Sequence, residues 1–201
     1  MKNTSNVVIL NAQTKDGQNW CDIELRKPAY HEAGHAVIAR LTGFEVAWVS
    51  IDPTFIRSDP LAINNRCDHG DPVCMTLSAF RINPIINKKA PLNKHEKETV
   101  ISYCMHVLAG PIVECKLDPS RFDARYSMND RNQVMAVLNH AEPNTAARKK
   151  LLDMARRKLN KAVEEHWSAI SEVAAALQDR GTLTARELDE LLQIPAVQMA
   201  A

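Results

Sequence analysis

From Thr145 to Leu177 the chain has neither glycine nor proline, and Leu152, Ala155, Leu159, Val163, Trp167, Ile170, Ala174 and Leu177 recur at spacings of three and four. That period puts the apolar side chains on one face of an α-helix, and a run this long without a breaker predicts one long amphipathic helix. Trp167 and Met154 fit core positions of that helix better than any cofactor contact. Gly181 can close it; Thr184 and Glu187 then form a capping box, and Leu183 with Leu188 a hydrophobic staple, for a final helix ending before Pro195.

Upstream, a short strand is expected at Val7 to Leu10. Pro28 suits the first turn of a helix that Gly43 would end. FEVAWVSI, residues 44 to 51, alternates and is rich in β-formers, and VCMTLSAF, residues 73 to 80, reads the same way. Between them, Asp52 to Pro72 reads as a polar loop with three prolines. Asn93 and Glu96 resemble a capping box, and Val100, Ile101, Cys104, Met105, Val107 and Leu108 supply the apolar face that follows. Pro111 should kink or end this helix, since proline lacks the amide proton and its ring clashes with the preceding turn. Another helix is expected from Met128 to Asp130 onward. The fold class is mainly α (α+β), with a small β-sheet beside the first helix.

At 201 residues the chain is large enough to bury a core as one domain. Its 24 acidic and 25 basic residues leave no bulk charge that would imply nucleic acid or a membrane surface as partner. The opening MKNTSNVVILNAQTKDGQ reads as neither a secretory signal nor a transit peptide, and no stretch approaches the roughly 20 apolar residues of a membrane span. Cys21, Cys67, Cys74, Cys104 and Cys115 are odd in number and scattered, poor material for a disulfide framework; a cytoplasmic, reducing setting is expected.

The chemistry concentrates in AYHEAGHAVIARL, residues 29 to 41, which has the pattern H-E-x-x-H. Residues four apart lie one turn apart on one helix face, so His31 and His35 can aim two imidazoles at a single metal ion. Glu32, beside such a metal, can take a proton from a metal-bound water that attacks a carbonyl. Ala33 and Gly34 leave room around the site. Catalytic zinc takes three protein ligands and keeps one position open, so a carboxylate or histidine from another element is required. The histidine that metzincins place six residues after the second is Leu41 here.

These segments resemble the FtsH-type zinc peptidases, the protease domains that accompany AAA ATPases. YHEAGHAVIARL resembles that family's helix, WVSIDP the strand behind it, LAGPIVECKLD its glycine-then-acidic helix segment, and SMNDRNQVMAVL its Ser-Asn-Asp segment. WSAISEVAAALQDRGTLTARELDELL is similar to the closing helices, and the order is the family's. The resemblance implies an FtsH-like peptidase domain over 28–194, with 1–27 as an extension and 195–201 as a tail. It implies Zn2+ held by His31, His35 and Asp130, with Glu32 as general base and Glu114 supporting the site from behind. It also implies an edge strand, Val73, Cys74, Met75, Thr76 and Leu77, beside which an unfolded polypeptide or peptide substrate lies. Asp123 and Asp118 are the reserve ligands. No phosphate-binding G-x-x-x-x-G-K-[ST] loop is present, so a separate ATPase or a homo-oligomer is the expected partner. The expected reaction is endopeptidase hydrolysis of unstructured polypeptide, with a catalytically silent zinc-binding adaptor as the alternative.

Three further signals are weaker. Cys67, His69 and Cys74 could hold a second metal ion, but their spacing fits no standard site. The basic run from Arg148 to Lys161 is interrupted by apolar residues at core spacing, which describes a solvated helix face better than a nucleic-acid footprint. His106, His140 and His166 lie in or beside apolar helical stretches and are assigned no role.

Overall fold

A computed structural model describes residues 20–65, 71–88, 90–121 and 128–194, with side chains from Arg26 onward except at Arg121. The chain is mainly helical with one small antiparallel sheet. Helix α1 (Trp20–Leu41) is the spine. From Glu32 to Ala39 every residue is buried, because α5 (Lys94–Leu117), α8 (Trp167–Arg180) and the sheet all pack against it. Its inner surface is small: Ala29, Ala33, Ala36 and Ala39 are fully buried. A Cβ added at Gly34 would lie 2.9 Å from Val113 Cγ2 and 3.2 Å from the Ala109 carbonyl, so α1 and α5 cross with almost no side chain between them at that point.

Gly43 ends α1 as its position suggests. At φ +77° it adopts a left-handed conformation that a Cβ disfavours. The Phe44 amide reaches back to the Ala39 carbonyl at 2.8 Å and the Gly43 amide to Arg40 at 3.1 Å, a Schellman closure that satisfies carbonyls the helix leaves unpaired. The start differs from expectation: α1 begins at Trp20, so Pro28 sits inside the helix rather than in its first turn. A proline there forfeits one main-chain hydrogen bond, and the tertiary packing of the following turns outweighs it.

Strand β1 (Val46–Ser50) is central, with β2 (Val73–Thr76) and β3 (Thr182–Thr184) antiparallel on either side. Trp48 pairs with Met75 and Thr184, and Val49 with Cys74 and Leu183. The strand expected over residues 73 to 80 is shorter, because Ala79 already opens α4 (Ala79–Ile86). The loop expected from Asp52 to Pro72 contains two short helices, α2 (Pro53–Ser58) and α3 (Pro60–Asn64). Asp52 and Asp59 cap them, accepting hydrogen bonds from amides of the first turn, and a proline occupies each first helical position. Ile56 and Ala62 cover Trp48 and Met75 in a second small core on the outer face of the sheet.

Helix α5 has the expected Asn93–Glu96 capping box, and it continues through Pro111 to Leu117 instead of ending there. It is also long and apolar enough to cross a membrane, contrary to expectation, but 72% of that apolar window is buried inside the fold. Helix α6 (Met128–Ala141) starts where expected. The long helix expected from Thr145 breaks in two at His166, whose φ of −112° and ψ of 21° leave the helical region, giving α7 (Thr145–Glu165) and α8. The break has a packing cause. Leu151, Ala155, Leu159 and Val163 are the buried residues of α7, which packs on α5, whereas Ile170, Val173, Ala174 and Leu177 are those of α8, which packs on α1. Met154, expected in the core, is 39% exposed. The capping box of α9 (Ala185–Leu191), Thr184 with Glu187, and the closure at Gly181 match expectation.

One ion pair ties the end of α1 to α9. Arg40 meets Asp189 Oδ1 through Nη2 at 2.6 Å and Nε at 2.8 Å, with side chains 8% and 15% exposed. Removing one partner of a buried pair leaves an uncompensated charge, at a cost of about 3–5 kcal/mol. Asp189→Ala should therefore lower the unfolding free energy by about 3 kcal/mol. Urea denaturation followed by circular dichroism tests this; a loss below about 1 kcal/mol would show the pair to be dispensable.

Candidate functional site

His31 and His35 occupy successive turns of α1, and Asp130 enters from the first turn of α6. Their donor atoms converge. The two Nε2 atoms are 2.9 Å apart, and Asp130 Oδ2 lies 3.4 Å from His31 Nε2 and 3.9 Å from His35 Nε2. Tetrahedral zinc with ligand distances near 2.0–2.1 Å would space its ligands about 3.4 Å apart, a value these distances bracket. No other group of three metal-binding side chains comes together among the described residues.

Helix α5 fixes both imidazoles from behind. His35 Nδ1 donates to the His106 carbonyl at 2.7 Å, and His31 Nδ1 bonds Glu114 Oε1 at 2.6 Å. Lys27 Nζ holds the other oxygen of Glu114 at 3.0 Å. A carbonyl can only accept, so the Nδ1 proton of His35 is assigned and its Nε2 carries a lone pair. The carboxylate does the same for His31. Two lone pairs pointing at one another across 2.9 Å require a positive charge between them, either a proton or a metal ion. Gly110 leaves room for the two rings to meet. A Cβ there would stand 2.4 Å from His31 Nε2 and 2.5 Å from His35 Nε2.

The electrostatics agree. Burial works against a charge on His31, but its hydrogen bonds to Asp130 and Glu114 and the nearby Glu32 outweigh this and raise its pKa to about 10. Burial, with charged His31 alongside, lowers His35 to about 4. One cation is thus held where two imidazoles meet. Burial also raises Glu32 to about 7, against the pull of His31, so this carboxyl group can take up and release a proton near neutral pH. Although burial opposes ionisation of Glu114, the bonds from His31 and Lys27 hold it below the usual carboxylate range.

A cleft of about 850 Å³ opens over these groups. Glu32, His31, His35 and Asp130 line it, together with Val73, Cys74 and Thr76 of β2. Strand β2 is an edge of the sheet. The Leu77 amide bonds the Glu45 carbonyl at 2.9 Å, so strand alternation turns the main-chain groups of Cys74 and Thr76 away from β1. Of the other expected edge-strand residues, Met75 packs against Trp48 in the second core, and Leu77 does not line the cleft. Asp118 is not in the group: it follows the end of α5, and its Oδ1 accepts from the Ser120 amide and hydroxyl. Asp123, Cys67 and His69 lie outside the described residues, as does the Val7 to Leu10 strand.

Three participants were missed or given no role in the sequence. Lys27 sits one turn before His31 on the same helix, a spacing that could have suggested it. Gly110 falls in the LAGPIVECKLD segment, but its contact with both imidazoles depends on how α5 crosses α1. His106 contributes a main-chain carbonyl, which no side-chain pattern reveals. No protein-family profile and no curated protein sequence matches the chain.

Gly110→Ala should favour the helix intrinsically yet displace both imidazoles. Its affinity for Zn2+ or Co2+ should fall by more than the roughly 10–100-fold typical of losing a ligand's supporting hydrogen bond, with helicity retained. Cobalt absorption titration with parallel circular dichroism measures both, and unchanged affinity would refute the arrangement. A second expectation concerns pH. A divalent ion must displace the proton that His31 keeps up to about pH 10, so apparent affinity should rise by about tenfold per pH unit from neutral toward that value. Calorimetry at pH 7 in buffers of different ionisation enthalpy should show release of about one proton per ion bound, and no release would contradict the assignment.

Proposed function

We propose that the chain is a zinc-dependent endopeptidase acting on unstructured polypeptide, with the metal held by His31, His35 and Asp130. The observation that carries the reading is the coincidence, in one cleft, of a three-donor cluster, a buried carboxyl group and an edge strand. Three protein ligands leave a tetrahedral ion one position for chemistry, whereas a purely structural zinc is closed by four. Zinc held there supplies a Lewis acid that polarises a carbonyl and acidifies water.

The chain's own groups supply the rest. Glu32 adjoins His31 and faces the same cleft, so its carboxylate can accept the proton of an attacking water and pass it to the leaving amine. Burial raises its pKa to about 7 when no ion is bound, and a divalent cation alongside would favour the carboxylate form that accepts the proton. Glu114 and the His106 carbonyl hold the imidazoles in the tautomer that binds a metal, so little reorganisation is needed. The Cys74 amide bonds the Glu32 carboxylate, which leaves the Cys74 carbonyl and the main-chain groups of Thr76 for an extended peptide that would add to the sheet beside β2; a folded protein could not present such a strand. The basic residues Lys149, Lys150, Arg156, Arg157 and Lys158 are exposed on α7, away from the cleft-lining residues, and the reading assigns them nothing.

Glu32→Gln keeps the shape of the side chain and removes its ability to carry a proton. With zinc bound, wild type should degrade an unfolded protein such as reduced, alkylated albumin, while the variant should lose at least about 1000-fold in rate and retain its zinc. Fluorescent-substrate assays with metal analysis of both preparations test this. Retained cleavage by the variant would refute the mechanism, and zinc without cleavage in either would favour an adaptor.

A further inference from the structure

The inference rests on the peptidase reading and concerns which side chains the cleft selects. On α5, Glu114, Gly110 and His106 are four residues apart, so they share a helix face at axial steps of about 6 Å. Glu114 lies behind His31, and Gly110 lies under both Nε2 atoms. His106 is the next step, on the side of His35, whose Nδ1 bonds its carbonyl. His106 lines the cleft with Val107, Thr76 and Ser78.

The imidazole of His106 is unusual for a core side chain. It is 3% exposed, wedged against Phe44 at 4.6 Å and Tyr103 at 5.1 Å between ring centroids. Its Nδ1 is buried without a hydrogen-bond partner; the Ser102 carbonyl one turn back is near but outside bonding geometry. Buried polar groups in folded proteins are nearly always paired, and an exception beside a binding cleft points to a partner that arrives from outside. Thr76 Oγ1 donates to Ser78 Oγ at 3.3 Å, which places two hydroxyl groups in the same cleft.

An extended peptide advances about 3.3 Å per residue, so a side chain next to a bond lying over Gly110 comes within reach of this step. We propose that His106 is the specificity-determining residue of the subsite adjoining the scissile bond, and that this subsite takes amide or hydroxyl side chains (Asn, Gln, Ser, Thr) in preference to aliphatic ones. A neutral imidazole can both donate and accept, so it pairs with either end of such a group. An aliphatic side chain would leave it unpaired. Substituting His106 keeps the main-chain carbonyl on His35, so the effect on specificity is separable from the metal site.

The test compares zinc-loaded wild type, His106→Leu and His106→Gln on a mixed-sequence peptide library, with cleavage sites read by mass spectrometry and with zinc content and circular dichroism matched. Wild type should favour Asn, Gln, Ser and Thr over Leu and Ile at one position flanking the cut by about tenfold. His106→Leu should reverse this and His106→Gln should restore it. Identical profiles, or no polar preference in wild type, overturn the proposal. If wild type cuts nothing, the peptidase reading fails, and the subsite is judged by fluorescence anisotropy on zinc-loaded Glu32→Gln. There, a peptide carrying Gln should bind more tightly than its Leu counterpart, and the difference should vanish when His106→Leu is added. Equal binding, or none, overturns it.

Discussion

The close crossing of α1 and α5 is the constraint on which the rest of the structure depends. Two glycines permit it, each removing a side chain from a different place. Gly34 on α1 lets the helices approach until a Cβ there would stand 2.9 Å from Val113. Gly110 on α5 leaves the space into which both imidazoles project. With the axes this close, one face of α5 reaches both imidazoles: Glu114 meets His31 and the His106 carbonyl meets His35. Wider separation would leave both rings without their supporting bonds. The long apolar surface of α5 thus serves placement as well as stability, since burying it against α1, α7 and α6 fixes the depth and rotation of the residues behind the site.

The second consequence of that crossing is electrostatic. It buries Glu32, His35 and Glu114 and half-buries Asp130 and His31, a set rich in negative charge. In such surroundings charge is tolerated only where it is paired, and the only cation among the groups just named is the one held between the two Nε2 atoms; Lys27 adds another from the rim. The pKa directions follow: His31 holds its proton strongly because carboxylates surround it, and Glu32 holds its own because burial disfavours another anion. A divalent ion at the same point would relieve both conditions.

How much of this was legible in the sequence depended on the range of the interaction. His31, Glu32 and His35 are set by helix periodicity within one turn, and the Asn93–Glu96 and Thr184–Glu187 capping boxes by hydrogen bonds spanning three residues. These were readable without knowing the fold. The pairs Asp52–Pro53 and Asp59–Pro60 were equally local signals of helix starts, but reading the whole region as a proline-rich loop hid them. The break at His166 was not readable, because no glycine or proline marks it; the helix bends only because α7 and α8 have different partners. For the same reason Met154 turned outward, and Pro28 and Pro111 were carried inside helices. Gly110 and the His106 carbonyl belong to this second class, since their roles arise from a crossing between elements some 70 residues apart in sequence.

Asp130 shows how a local rule and a long-range demand can coincide. A carboxylate in the first turn of a helix is favourable on its own account, because the free amides and aligned peptide dipoles there carry partial positive charge. Composition would have placed an acidic residue at this point for α6 alone. The position of α6, packed on α5 through Val134, Val137 and Leu138, turns that same residue toward the two imidazoles. The helix end then offsets part of the cost of holding a carboxylate beside Glu32 and Glu114. A carboxylate drawn from mid-helix or from a strand would lack that offset, which gives a physical reason for the acidic residue that faces His31 and His35 to sit in the first turn of α6.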